Sequence, residues 1–479
     1  MTAAEFTALL PFLGIAGTSI VLMSAIAIRR DRRWAMAITI AGLSVSFGLL
    51  FAARPVTPCI VTQLLVIDGY ALFFFALLIA ASAVVALLAY EFLDRRGCDC
   101  GEFYLLLLFA TLGSCVLAAA THFASLFLGL EILSVSLYAM IAYLRNTETS
   151  LEAGVKYLVL AAVSSAFLLF GMALIYAETG TMAFSAFSSL AIRPETGSIL
   201  LTTAGLALMM VGVGFKLALV PFHMWTADVY QGAPAPVTAF VATVSKAAVV
   251  ALLLRLLAAA ETPPPELVWI MALFAGASII IGNLLALQQD NVKRLLAYSS
   301  IAHMGYLMIA IIAGGANGGE AAAFYLAAYI PTTLGAFGVV TVQSFGNRDC
   351  DHLYDYVGLG RSRPFLAGTL TVTLFSLAGI PLTAGFVGKF LVLGAGVESG
   401  QWALTLILVL GSVISIFYYL RVIVAMYMRP EEAAQTAPIV PRVSILAGAT
   451  LTALVAVLLW LGVWPAPFME IIRAAVSVL

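Results

Sequence analysis

Charge is scarce in this chain. Only 10% of its 479 residues are charged, against about 25% in an ordinary soluble domain. The net charge is −1, with no basic tract or acidic tail, so nothing recommends a nucleic-acid partner. Cysteine is scarce as well. Cys59, Cys98, Cys100, Cys115 and Cys350 are odd in number, form no C-x-x-C pair and have no histidine at zinc-ligand spacing, which argues against a disulfide framework or a structural metal. No dinucleotide-binding glycine fingerprint, cysteine cluster or haem motif is present to supply redox chemistry. The first apolar run lacks a basic leader and a small-residue cleavage site, so it reads as a retained helix and not as a signal peptide.

Hydrocarbon is what the chain has in excess. Hydrophobic residues make up 63% and the mean hydropathy is +1.08, more than a soluble fold has interior to hide. A helix needs about 20 apolar residues to cross a bilayer. Uninterrupted runs of that kind fall near 6–28, 34–53, 69–90, 103–119, 122–143, 153–177, 199–220, 236–258, 267–287, 296–314, 320–343, 365–397, 402–428 and 443–464. The expectation is an all-α integral membrane protein of about fourteen spans.

An even count places both termini on one side. Fourteen of the arginines and lysines then fall in loops on the opposite side, against only Arg54, Arg193 and Arg473 on the side of the termini. The positive-inside rule makes the termini face outward.

The remaining six cations lie inside predicted spans: Lys156, Lys216, Lys246, Arg255, Lys389 and Arg421. Arg255 and Arg421 fall near span ends and are expected to reach the interface as anchors. The lysines differ. The chain has five, and four of them sit in apolar runs while arginine serves the loops. A charge at the bilayer centre costs about 2.5–3.5 kcal/mol or more, so several in one protein imply a use. Desolvated lysine exchanges its proton near neutral pH, whereas arginine does not. Glu131, in HFASLFLGLEILSVSLYAM, is the acid placed deep in a span. A carboxylate whose distance from an ammonium changes is a proton switch; a static ion pair that only fixes packing is the plainer alternative.

Two lysines sit beside helix breakers. Lys216 lies in VGVGFKLALVPFHMW and Lys389 in LFSLAGIPLTAGFVGKF. Proline removes a backbone donor and glycine lowers the cost of unwinding, so spans 7 and 12 should each break into two half-helices at membrane depth. Irregular backbone persists there only where protein or water surrounds it. Interrupted spans at matching positions are the mark of inverted repeats, which points to repeats over spans 4–8 and 9–13. Pro331, by contrast, reads as an ordinary kink. Lys246 lies mid-span with Thr243 and Ser245 near it, and a path from Lys216 through Lys246 to Lys389 follows. Lys156, one turn after Glu152, and His303, of a residue type whose ordinary pKa is near neutrality, are auxiliary candidates; an interfacial lysine and a histidine satisfied by hydrogen bonds are the alternatives.

The stretches GFKLALVPFHMWTADVYQGAPAPVTAF, DNVKRLLAYSSIAHMGY and FSLAGIPLTAGFVGKF resemble the antiporter-like membrane subunits of respiratory complex I, the proton-translocating NADH:quinone oxidoreductase. The similarity runs through nearly the whole chain. It implies a fourteen-helix subunit with two inverted five-helix repeats, in which Glu131, Lys216, Lys246 and Lys389 carry the proton and Lys156 and His303 match auxiliary positions. Lysine at 389 fits the N branch of the family, since the M branch typically has glutamate there; the L branch and the A subunit of multi-subunit sodium/proton antiporters extend well past fourteen helices. Ala227, where relatives often have proline, is a departure that touches none of the ionisable roles.

The implied division is residues 1–100 as an N-terminal three-helix segment, 101–260 and 261–430 as the two repeats, each a proton half-channel, and 431–479 as the C-terminal helix. The implied partners are other membrane-arm subunits, neighbouring antiporter-like subunits among them, together with lipid, protons and water. NADH, FMN, iron–sulfur clusters and quinone are expected in partner subunits and no cofactor in this chain. The alanine-rich composition suggests a bacterial plasma membrane with periplasmic termini. Two other readings stand beside this one: a cation/proton antiporter subunit, and a structural scaffold.

Overall fold

A chain this apolar satisfies its backbone in hydrocarbon by becoming helix almost everywhere. The computed structural model describes residues 2–97, 101–145, 147–185, 199–260, 263–344, 349–429 and 443–478. Cys98, Cys100, Arg193, Arg348 and Arg442 lie outside them. Among the described residues, thirteen helices are long and apolar enough to cross a membrane. In chain order, spans 1 to 7 are Leu10–Ile28, Arg32–Val56, Gly69–Asp94, Gly101–Ala119, Phe123–Ile141, Glu148–Thr179 and Leu200–Leu217. Spans 8 to 11 are Ala235–Ala258, Pro265–Leu287, Val292–Ala313 and Gly315–Gln343, and spans 13 and 14 are Trp402–Tyr427 and Ile445–Val463. Span 12 is a pair of half-helices, Pro364–Ala378 and Ala384–Glu398. Polar residues at the starts fix the ends: the carboxylates of Asp31 and Asp68 and the amide oxygen of Asn291 accept backbone N–H bonds from the first turns of spans 2, 3 and 10, a standard N-cap arrangement.

The loops sort themselves onto two faces. A short antiparallel hairpin, Cys59–Val61 with Leu65–Ile67, follows span 2. Leu65 bridges to Ala120 after span 4, and His122 bridges to Ala183 after span 6. The helix Ala3–Ala8 packs on the hairpin, and Val478 lies beside Gly69 at the start of span 3, so the two ends of the chain share that face. On the opposite face Asn291, before span 10, bridges to His352 after span 11, and Arg96, after span 3, pairs with Asp349.

Spans 8, 10 and 11 form the centre. The apolar stretches of spans 8 and 11 are wholly buried, whereas only 28% and 33% of the corresponding stretches of spans 1 and 14 are. Small residues let backbones close on each other: a Cβ on Gly171 of span 6 would stand 2.6 Å from the Gly205 carbonyl of span 7.

Both expected breaks are present. Span 7 stops at Leu217, Ala218 turns to φ +60°, and a short helix Met224–Gly232 precedes span 8. In span 12, Gly379 at φ +84° and Leu382 at φ +73° separate the halves. Span 11 runs through Pro331 without interruption.

Candidate functional site

Each of three lysines is buried where another helix, or the other half of its own broken span, offers it an oxygen. Lys216, in the last turn of the first half of span 7, is 3% exposed. Its Nζ donates to Ser134 Oγ of span 5 at 2.7 Å and reaches Tyr157 Oη of span 6 at 3.4 Å. Glu131, one turn before Ser134, accepts from Ser165 Oγ of span 6 at 2.7 Å. The expected pair is therefore neighbouring but indirect: among the described residues no ion pair joins Glu131 to Lys216, and the serine stands on the lysine.

The helix Met224–Gly232 carries the aromatic residues between Lys216 and Lys246. Trp225 Nε1 donates to Phe215 O at 3.1 Å, a carbonyl that also accepts Ala218 N at 3.0 Å in the turn at the break, and its ring lies 4.9 Å from Tyr157 and 6.4 Å from Tyr230. Lys246 follows one turn of π-helix, Val241–Ser245, and is fully buried. Its Nζ stands 5.7 Å from the Tyr230 ring centre and donates to Ser300 Oγ of span 10 at 2.6 Å. Ser300 also receives Tyr329 Oη of span 11 at 2.7 Å.

One turn after Ser300, His303 has both ring nitrogens engaged. Nδ1 is 2.6 Å from Tyr325 Oη and Nε2 is 3.2 Å from Tyr419 Oη. Lys389, in the second half of span 12, donates to Ala378 O at 2.9 Å and stands 5.2 Å from the Tyr306 ring centre. Ala378 ends the first half-helix, so its carbonyl is one that an unbroken helix would have used itself.

Lys156 is elsewhere in character. Its side chain is 41% exposed and pairs with Glu152 at 2.6 Å and Asp228 at 2.8 Å. Asp228, on the helix Met224–Gly232, also pairs with Arg294 of span 10 at 2.8 Å, so one carboxylate ties the broken span to spans 6 and 10.

Two further clusters hold loop regions. Asp349 joins Arg96 and Lys293, the latter at 2.7 Å. Burial alone would raise its pKa, but the Lys293 and Arg96 charges outweigh that and hold its carboxyl below the usual range. On the other face Arg255 has a partner that the sequence did not reveal. It lies in the last turn of span 8, but instead of stretching into water it is 7% exposed, forms two 2.9 Å hydrogen bonds with Asp68 and donates to Ala118 O at 3.1 Å. A charged group this short of water turns to a partner instead of stretching outward. Arg421 does sit at a span end, donating to the carbonyls of Leu287 and Gln289. Among the described residues no group of three His, Cys, Asp or Glu side chains could hold a metal ion, and Cys59, Cys115 and Cys350 are free thiols.

The residues that sequence reasoning passed over are Ser134, Ser165, Asp228, Ser300 and Tyr329. Serine and threonine in membrane helices commonly bond to the carbonyl four residues back, as Thr39, Ser82 and Ser114 do here, so no local signal marks the two that receive a lysine.

The transmembrane family described as NADH:quinone oxidoreductase/Mrp antiporter matches residues 120–415. The chain is 49% identical to NADH-quinone oxidoreductase subunit N of Ectopseudomonas mendocina, covering 100% of this chain and 98% of that one. It is 47% identical to the protein of the same name from Methylococcus capsulatus, over 98% and 95% of the two chains. Among solved structures it is similar to a chain of respiratory complex I from Thermus thermophilus with bound aureothin, at 34% identity and a TM-score of 0.83, over 97% of this chain and 99% of that one.

Proposed function

Since the chain belongs to the NADH:quinone oxidoreductase/Mrp antiporter transmembrane family, we propose that it is a proton-translocating membrane-arm subunit of an NADH:quinone oxidoreductase, in the place that subunit N holds among its relatives. One observation carries the reading. Lys216, Lys246 and Lys389 are buried in span interiors, each held by an oxygen from an adjoining element, with two of them at helix breaks.

In this reading Glu131 and Lys216 are the input switch, with Ser134 holding the lysine and Ser165 the carboxylate. A change arriving from a neighbouring subunit alters the field of Glu131 at Lys216 and lowers its hold on a proton. The proton passes to Lys246 and then to Lys389, which releases it outward; Lys156 and His303 assist. Each charge moved costs about 2.3 kcal/mol per 100 mV, and the energy comes from redox chemistry with NADH, FMN, iron–sulfur clusters and quinone in partner subunits. Residues 101–260 and 261–430 act as two inverted half-channels behind a three-helix segment, 1–100, with 431–479 as the closing helix. The face that bears both termini is periplasmic, in a bacterial plasma membrane; the 14 to 3 distribution of loop cations supports this.

In reconstituted complex, Lys216→Ala should lower proton pumping and coupled quinone reduction together, and wild-type rates in that variant would count against the switch. The family's printed description also includes the Mrp antiporter, which favours cation/proton exchange as a second reading. Sodium-dependent proton flux by this chain without redox partners would select it. Flux indifferent to Lys216, Lys246 and Lys389 would instead select a scaffold.

A further inference from the structure

The helix Met224–Gly232 has nine residues, too few to stand by themselves, since isolated helices shorter than about 12 residues are marginal in water. Both of its ends are joints. Ala218, at φ +60°, lies between it and the first half of span 7, and Ala233 turns to extended backbone ahead of span 8. What fixes its place must therefore come from the helices around it. It packs chiefly on spans 6 and 10, so closely that a Cβ on Gly232 would meet the Thr149 carbonyl of span 6.

Polar ties reach it from both of those spans. Asp228 gives one oxygen to each: Oδ2 accepts Lys156 Nζ of span 6 and Oδ1 accepts Arg294 Nη1 of span 10, both at 2.8 Å. The same Nη1 donates to Gln231 Oε1 at 3.1 Å. Lys293, the residue before Arg294, is fully buried. Its ammonium has three hydrogens, and they meet Gln231 O at 2.8 Å, Ala233 O at 2.7 Å and Asp349 Oδ2 at 2.7 Å. The first two are carbonyls at the end of the helix, where no further turn uses them. Residues 379–383, between the halves of span 12, carry no charge, so that break has no side chain with which to form such ties. The inner side chains of the helix are aromatic. Trp225 and Tyr230 are 2% and 0% exposed; the first lies 4.9 Å from the Tyr157 ring beside Lys216, and the second has its ring centre 5.7 Å from Lys246 Nζ. Any shift of the helix moves the wall between the two lysines.

We propose that Asp228 is a positioning residue: clamped between Lys156 and Arg294, it sets the place of Trp225 and Tyr230 between Lys216 and Lys246. The proposal rests on the relay reading above and adds to it the part that holds the first two lysines in register. Asp228 itself touches neither lysine and carries no proton. The part of Lys156 becomes a fixed one, since its ammonium closes the clamp from the side of span 6. Asparagine at 228 would keep one oxygen and no charge, so it would let go of at least one of the two helices.

The test uses reconstituted complex carrying Asp228→Asn, Asp228→Glu or Arg294→Gln, with Lys216→Ala as the reference for the relay. Two things are read per assembled complex: hydrogen–deuterium exchange of residues 224–233, and kcat and KM of quinone reduction coupled to pumping. In Asp228→Asn and Arg294→Gln the segment should exchange severalfold faster. Their kcat should fall about tenfold, because a misplacement of about 1 Å costs up to about 100-fold, while the quinone KM stays within about twofold of wild type. Asp228→Glu, which keeps the carboxylate, should bring both readings most of the way back. Wild-type exchange in Asp228→Asn overturns the clamp. Faster exchange with wild-type kcat overturns the positioning role and spares the relay. Wild-type pumping in Lys216→Ala overturns the relay itself. Should Asp228→Asn not assemble, Arg294→Gln, which cuts the clamp from the side of span 10, decides alone.

Discussion

Asp68→Asn isolates the worth of one buried charge. Asp68 Oδ1 accepts both the Ala71 amide, at 2.8 Å, and Arg255 Nη2, at 2.9 Å, while Oδ2 accepts Arg255 Nη1 at 2.9 Å. Asparagine keeps the volume and the oxygen that caps span 3, so the capping energy of about 1 kcal/mol is spared. What goes is the negative charge, and an NH2 group now faces a guanidinium N–H. The side chains of Arg255 and Asp68 are 8% and 5% exposed, so water does not restore the loss. Removing one partner of a buried pair costs about 3–5 kcal/mol. Unfolding entropy of about 2.1 cal/mol/K per residue, applied to 479 residues, gives about 1 kcal/mol per kelvin. The melting midpoint of the purified complex, followed through this subunit, should then fall by about 3–5 °C. Asp68→Asn combined with Arg255→Leu should recover part of that, since the second change removes the stranded cation. A single variant melting within about 1 °C of wild type would refute the reasoning.

Three other outcomes follow from the same geometry. Lys246→Arg keeps a cation on Ser300 but one that does not release its proton, so pumping should be lost if Lys246 carries protons and retained if it only packs; proton uptake in reconstituted complex distinguishes the two. Asp349→Asn should destabilise the complex by about 3 kcal/mol by stranding Lys293. Because the Asp349 carboxyl is held below its ordinary pKa, its contribution is complete above about pH 4 and fades as pH falls further, so the variant and wild type should melt apart at pH 7 and converge in strong acid. Gly385→Ala places a Cβ against the Ser376 carbonyl across the break in span 12, and should lower pumping more than assembly, as read by activity per assembled complex; equal losses would sink the claim.

The spans were legible because hydrocarbon must be matched in length, and the fourteen runs correspond to thirteen long helices and one broken pair. The breaks were legible because Pro221 and Pro381 stand among glycines. Three lysines stood out because they sit away from the ends of runs in which charge is almost absent. Their partners did not stand out. Ser300 is one of many hydroxyls in apolar helices, and only the three-dimensional approach of spans 8, 10 and 11 separates it from Thr39 or Ser82. The partner of Arg255 was hidden for the same reason: it is 187 residues away, and position within a run says nothing about which other helix end stands next to it. Helix pitch alone does not reveal that Lys216 would rest on Ser134 while Glu131, one turn earlier, accepts from Ser165.

The enclosure of spans 8 and 11 has a consequence for how the protein answers its bilayer. A helix sealed on every side by other helices touches no acyl chains, so changes in lipid length or saturation act first on the rim, where spans 1 and 14 show most of their surface. Mismatch between bilayer thickness and span length is taken up by tilt at such outer helices before it reaches enclosed ones. The middle is cushioned from that strain.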